Sequence, residues 1–308
     1  MAEKMEQFGQ SDPLESAHGL NLPNGGSNLI NRYQSSLIGG KISLMMTKLG
    51  SKFADGRTAE VYTWGEDQIL KLYRKGWPRR TAEFEHRQAL ASQQTGYRVP
   101  LAGEVIEING RFGIIYQRVD GQTMMCKILD NPTTCIPFAR QMADLHLEMH
   151  LREAHNMEPV TERLTWKIQT VQAFDEKKKS ILLSHLSSLP QDNKLLHGDF
   201  HPGNIMLTPT GPVIIDWMDA VVGHPLADVA RTFIIARFGI PPEERINRLI
   251  FRTMLRIYLK HYLQHSPYTR SQFEDWLLPV AAGRLSEEIP HETAPLHAYV
   301  NKLLKKLG

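Results

Sequence analysis

The sequence predicts an α+β fold in two lobes, a small antiparallel β lobe followed by a larger helical one. Three features point to it. Apolar alternation at strand period is concentrated between residues 41 and 118, the dipeptide Asn109-Gly110 separates two β-rich runs, and beyond Asp120-Gly121 apolar residues recur mostly at helical spacing.

Taken in order, residues 1–40 mix six glycines with Ser, Asn and Pro and sustain no apolar period, which predicts a flexible extension. From Lys41 the texture becomes strand-like. Glu60–Trp64 and Ile69–Tyr73 alternate and are joined by a tight turn at Gly65-Glu66-Asp67. Thr81–Thr95 is rich in helix formers and is followed by Gly96 and Pro100, a stop signal. Glu104–Ile108 and Gly113–Gln117 flank Asn109-Gly110, the strongest short-range hairpin signal. A linker is expected near residues 117–121. Helices are expected at Ile136–His150, across Thr165–Leu189 as one stretch, and over most of Pro242–Leu263, with one short β segment, Val213-Ile214-Ile215. The expected division is therefore 1–40, 41–118 and 119–308.

Composition excludes more than it identifies. With 36 basic and 33 acidic residues the formal charge is +3, too slight an excess for a dedicated nucleic-acid binder. No window approaches the apolar length of a membrane helix, and the N-terminus lacks the order of a secretory signal. Cys126 and Cys135 are read as reduced thiols of a cytoplasmic protein. The charge is uneven: residues 121–220 carry 9 basic and 12 acidic side chains, residues 221–308 carry 12 and 8. Oligomeric state is left open.

The chemistry is concentrated in His197-Gly198-Asp199-Phe200-His201-Pro202-Gly203-Asn204, followed by Ile214-Ile215-Asp216-Trp217. Asp199 and Asn204 stand five apart on a loop stiffened by Pro202 and loosened by Gly198 and Gly203, and Asp216 follows a short apolar strand. Three oxygen donors or acceptors thus converge on one loop-strand corner. Phosphoryl transfer with Mg²⁺ uses such a set: one carboxylate to accept a hydroxyl proton, one amide oxygen and one carboxylate for the metal.

These two motifs, in this order and spacing, resemble those of the aminoglycoside phosphotransferase and choline kinase-like family, whose fold is similar to that of protein kinases. The resemblance implies a protein-kinase-like two-lobe fold and ATP-dependent phosphorylation of a small-molecule hydroxyl. It implies Asp199 as the catalytic base, Asn204 and Asp216 as Mg²⁺ ligands, and His197 as a residue that shapes the loop. Gly223-His224-Pro225-Leu226-Ala227-Asp228-Val229-Ala230 also resembles the family pattern, which implies that Asp228 supports the loop by hydrogen bonds.

Lys71 sits in the apolar run Ile69–Leu72, where an unpaired ammonium is costly. A phosphate and a helical carboxylate would resolve that cost, as for the strand lysine of kinases. The carboxylate is Glu85 or Glu83, and the Gly96-Tyr97-Arg98-Val99-Pro100 landmark favours Glu85. Asp55–Tyr62 is the expected phosphate-covering loop, with Gly56, Thr58 and the backbone of Arg57 to Ala59 facing the phosphates. It carries one glycine where protein kinases have three. The Tyr116–Gly121 linker, with Gln117 and Val119 in it, is expected to offer backbone groups to the adenine.

A protein kinase is disfavoured because His-Gly-Asp replaces His-Arg-Asp and neither Asp-Phe-Gly nor Ala-Pro-Glu occurs. A catalytically silent nucleotide-binding module is the alternative of a different class, although all four core groups are present. Lys177–Lys179 reads as a solvated helix face, and Met45-Met46 and Met124-Met125 as packing. His146 and His150, four apart, share a helix face, but the sequence names no partner for them and the histidines give no zinc spacing. The acids Glu243, Glu244, Glu274, Asp275, Glu287 and Glu288 are expected to be mainly solvent-facing. The acceptor is not readable.

Overall fold

The computed structural model describes residues 48–56, 58–241 and 243–307. The expected 1–40 extension, Met45-Met46, Arg57 and Pro242 lie outside the described residues. The chain divides into two compact units, one of residues up to Glu83 with Ala102–Arg118, the other of Phe84–Leu101 with Val119–Gly308.

The first unit is a five-stranded antiparallel sheet, β1 (Leu49–Asp55), β2 (Ala59–Trp64), β3 (Gln68–Tyr73), β4 (Ala102–Ile108) and β5 (Arg111–Gln117), in the order β1-β2-β3-β5-β4. At the β4–β5 turn Asn109 and Gly110 both adopt positive φ, 51° and 72°, as a two-residue turn matched to strand twist requires. Alternation sorts the central strand. Leu70 and Leu72 join Trp64, Ile106, Ile108 and Ile115 on one face, while Tyr73 packs with Ala59, Ile114 and Ala82 on the other. Ala82 belongs to α1 (Arg79–Gln94), which ends just before Gly96 at φ 71°.

The second unit holds α2 (Met124–Asp130), α3 (Cys135–His150), α4 (Val160–Thr170), α5 (Glu176–Ser188), α6 (Pro225–Phe238), α7 (Arg245–Gln264), α8 (Arg270–Arg284) and α9 (Pro290–Leu304). Helix α3 packs on α7, and α6 on α8. The single helix expected across 165–189 is two, α4 and α5. The chain breaks at Val171–Asp175, and the Asp175 carboxylate accepts from Lys178 N at 2.7 Å to start α5. The single β segment expected here is likewise a correction. Five short strands are present: β6 (Gln122–Thr123), β8 (Ile205–Thr208) and β9 (Gly211–Ile214) form one antiparallel sheet, β7 (Lys194–Leu196) and β10 (Val221–Gly223) another. Strands of two to four residues are too short to establish a period in sequence. Among the described residues no helix is long and apolar enough to cross a membrane. Cys126 and Cys135 are both free.

Candidate active site

Two small sheets frame the loop of residues 197–204. β7 delivers it, pinned to β10 through Leu196↔Val221, and β8 leaves it to pair with β9. Pro202–Asn204 makes one tight helical turn whose first amides are met by His201, with Nδ1 accepting from Gly203 N at 3.0 Å. The Asn204 amide donates to the Asp199 carbonyl at 2.9 Å and to Asp199 Oδ2 at 3.3 Å. Asn204 O in turn accepts from Ile215 N at 2.9 Å. Asp199, Asn204 and the residue before Asp216 are therefore joined by three hydrogen bonds. Asp216 itself takes a left-handed conformation, φ 64° and ψ 66°, uncommon away from glycine and enriched at functional positions.

His197 is fully buried and works as a strut. Its Nδ1 accepts from Asp199 N at 3.2 Å, so the proton is on Nε2, which donates to the Ile215 carbonyl at 3.0 Å. Gly198 has φ 76°, and a Cβ there would stand 2.2 Å from the Asp219 carbonyl oxygen. No side chain fits.

Asp228, at the start of α6, lies beneath the loop. Its Oδ2 accepts from His197 N at 2.6 Å and its Oδ1 from Gly198 N at 3.0 Å. His146 Nε2 reaches Oδ2 at 3.1 Å and His150 Nε2 lies 3.6 Å from it. Each imidazole is fixed from behind by a tyrosine: Tyr258 at 2.5 Å from His146 Nδ1, Tyr262 at 2.7 Å from His150 Nδ1. The two histidines that the sequence left without a partner thus meet Asp228. Among the described residues, these three are the cluster whose ligand atoms could converge on a metal. Both Asp228 oxygens are already occupied by loop amides, so the group reads as a hydrogen-bonded support. Burial, with the neighbouring imidazole, pushes His146 down to about 3. Burial pushes Asp228 up, but the hydrogen bond from His146 and the nearby His150 imidazole outweigh that and hold it well below the usual carboxylate range.

A second support was not read from sequence. Arg231 Nε donates to the Gly198 carbonyl at 2.9 Å, and Nη1 pairs with Glu287 at 2.6 Å. Glu287 also holds Lys167 of α4 at 2.9 Å and Arg284 of α8, which takes Glu292 bidentately at 2.7 and 2.8 Å. Of the six C-terminal acids expected to face solvent, Glu287 does not. The other five are exposed. A pocket of about 40 Å³ beside Gly198, lined by Lys167, Asp219 and Arg231, has room for a water or two. Burial pushes the Asp199 carboxyl up, but the His201 hydrogen bond and the charges of His201 and Arg231 prevail, so it stays ionised far below the usual range.

Of the other sequence-derived residues, Lys71, Gly56, Thr58, Gln117 and Glu83 lie in the first unit, Glu85 and Val119 in the second. Lys71 is half-buried on β3, between Val61 of β2 and Ile114 of β5, and shares a strand face with Tyr73. Gly56 N bonds to the Ala59 carbonyl at 2.9 Å, and Arg74 ties the turn down through the carbonyls of Gly56 and Thr58. Gln117 ends β5, and Val119 begins the longer segment of the second unit. On α1, Glu83 is half-buried and paired with Arg79 at 2.7 Å, while Glu85 is 1% exposed and lies one turn on from Ala82.

An oxygen-only set of one amide and one carboxylate suits a hard cation. The Asn204 NH₂ is committed to Asp199, which leaves its Oδ1 as the ligand atom. The residues present therefore fit Mg²⁺.

The model of the phosphotransferase enzyme family matches residues 49–263. No curated protein matches the chain. Among solved structures, a thermostable mutant of aminoglycoside phosphotransferase APH(4)-Ia is similar with TM-score 0.59 and 14% identity, over 86% of this chain and 98% of that one. An amicoumacin kinase in complex with AMP-PNP, Ca²⁺ and its ligand gives 0.54 and 17%, over 92% and 95%. A choline kinase from Cryptosporidium parvum gives 0.51 and 13%, over 89% and 96%. These likenesses show a kinase-like fold.

Proposed function

Because the chain belongs to the phosphotransferase enzyme family, we propose that it is a kinase that moves the γ-phosphoryl group of ATP to a hydroxyl of a small molecule. The observation that carries this reading is the Asn204 amide bridging the carbonyl and carboxylate of Asp199, one residue away in hydrogen bonding from Asp216. Asp199 is the base. Held ionised, it orients the acceptor hydroxyl and takes its proton as the oxygen bonds to the γ-phosphorus and ADP leaves. Asn204 and Asp216 would hold Mg²⁺, which when bound supplies charge neutralisation of the phosphates.

Residues 41–118 are the nucleotide-binding lobe and 119–308 the catalytic and acceptor-binding lobe. Lys71 contacts the phosphates and pairs with Glu85, the choice that burial favours over the half-buried, Arg79-bound Glu83. Gly56 and Thr58 lie in the covering loop, and Gln117 and Val119 flank the backbone that meets the adenine. The likeness to structures holding ADP or AMP-PNP supports ATP as donor. Similar aminoglycoside phosphotransferase structures hold hygromycin B or streptomycin, which supports a small-molecule acceptor. The free thiols fit the cytoplasm.

The test is transfer from γ-labelled ATP to a library of hydroxyl compounds. Asp199→Asn keeps nucleotide binding and loses turnover, and full activity in that variant overturns the reading. A chain starting at residue 41 retains turnover if the extension is dispensable for the chemistry.

A further inference from the structure

Helix α7 contains no acidic residue in its twenty positions. Arg252, Arg256 and Lys260 repeat at i, i+4 and i+8, so they form one row along it. All three are exposed. With Arg237 of α6 and Arg270 at the start of α8 they rim a groove of about 760 Å³, within the size range of small-molecule sites. Its floor is apolar, from Phe233, Leu255, Leu259 and Tyr268.

The charge in this groove is not internally balanced. No carboxylate lines it. Among the described residues, Arg270 alone of the five cations has an acidic partner, Glu274 of α8 at 2.8 Å. Arg237 is held by rings, its guanidinium lying 5.2–5.8 Å from the centroids of Phe233, Phe238 and Tyr299. Among the described residues no carboxylate stands within ion-pairing distance of Arg237, Arg252, Arg256 or Lys260. Like charges at i, i+4 repel, and a multiply charged anion is the ligand that relieves them. The groove also begins close to the loop of residues 197–204. Phe233 follows Thr232, whose hydroxyl donates to the Phe200 carbonyl at 2.9 Å, one residue beyond Asp199.

We infer that this groove is a binding site for a small polyanion, a compound with several phosphate or carboxylate groups, which Arg252, Arg256, Lys260 and Arg237 grip over an apolar floor. The same chemistry belongs either to an anionic acceptor or to an effector that is not consumed.

The test is titration of the full chain with inorganic pyrophosphate and with citrate. The nucleotide site is kept saturated with AMP-PNP so that only other sites respond. In the double variant Arg252→Ala/Arg256→Ala both probes lose affinity by about tenfold or more, because charge-assisted contacts are removed. Binding to the unaltered protein weakens with added salt. The exposed single exchange Lys260→Gln, titrated alongside, loses affinity in the same sense. Equal affinity in the variants and the parent, or no binding of either probe to the parent, overturns the site. Binding of a short single-stranded oligonucleotide without binding of either probe also overturns it, in favour of a nucleic-acid face. The two sources are separated by turnover. An anionic alcohol that acts as acceptor releases ADP, and its KM rises in the double variant. An effector alters basal ATP hydrolysis and is recovered unchanged. The titration itself needs no turnover, so its outcome is independent of the kinase reading.

Discussion

Arg231 donates from Nε to the Gly198 carbonyl at 2.9 Å while its Nη1 is anchored 2.6 Å from Glu287. One side chain thus connects the residue before Asp199 to a cluster that joins α4, α6 and α8. Replacing Arg231 by Lys keeps a charge but removes the fixed fork that serves both partners. The expected result is a fall in kcat of about 10- to 100-fold, the kinetic equivalent of one charge-assisted hydrogen bond. The KM for ATP stays unchanged, because the nucleotide groups are untouched. An equal rise in ATP KM would place the effect in nucleotide binding instead.

Glu287 neutralises Lys167, Arg231 and Arg284 together. Burial pushes its carboxyl up, yet those three charges hold it far below its ordinary value. Glu287→Gln leaves three buried cations short of one anion and is expected to cost about 3–5 kcal/mol, read by urea denaturation. Glu288→Gln, at the exposed neighbour, is the control and stays within about 0.5 kcal/mol. Because the folded pKa is depressed, this stabilisation is complete above about pH 4.3 and declines as the pH falls further.

Gly198→Ala tests the geometry of the loop from the backbone side. The position combines φ 76° with a carbonyl oxygen 2.2 Å from the added Cβ, and neither can relax without moving Asp219. A loss of more than about 2 kcal/mol and of most turnover is expected. Gly65→Ala, at a comparable φ of 63° with nothing within 4 Å, costs less. The difference between the two measures the clash alone.

How much of this was legible depended on the distance in sequence between partners. Asp199, Asn204 and Asp216 lie within 18 residues of one another, so their spacing placed them on one corner. The sheet was legible because β2 to β5 are long enough to alternate and Asn109-Gly110 marks its turn. Arg231 and Glu287 are 56 residues apart, and His146 and Asp228 are 82 apart, so nothing local joined them. The i, i+4 pair His146/His150 and Asp228 in the Gly223–Ala230 pattern were visible as separate traces of that network. Helices α8 and α9 carry Pro279 and Pro295 inside them, which obscures an apolar period. The capping pair Thr269 and Gln272 at the start of α8, with the Thr269 hydroxyl accepting from Gln272 N at 3.3 Å, was the signal that could have found it.

The network under the loop gives a pH dependence with a definite sign. Burial pushes His146 down to about 3, so it is neutral in the folded protein at pH 5 to 8, and it moves His150 in the same direction. In the unfolded chain they titrate near pH 6.5. Below that pH the unfolded state binds more protons than the folded one, so stability falls as pH drops from about 6.5 toward 3, by up to about 1.4 kcal/mol per pH unit from His146, with His150 adding to the slope in the same sense. The groups facing them are Asp228, Tyr258, Tyr262 and His197, with Asp192 acting on His150, and the Asp228 carboxyl is held well below the usual carboxylate range. Denaturant unfolding at pH 5.0, 6.0 and 7.5 is expected to show stability rising with pH and levelling above about 7. Substituting His150 by Gln removes one titrating group and flattens the slope. An unchanged slope would mean that His150 is already protonated in the folded state, with its Nε2 proton directed at Asp228.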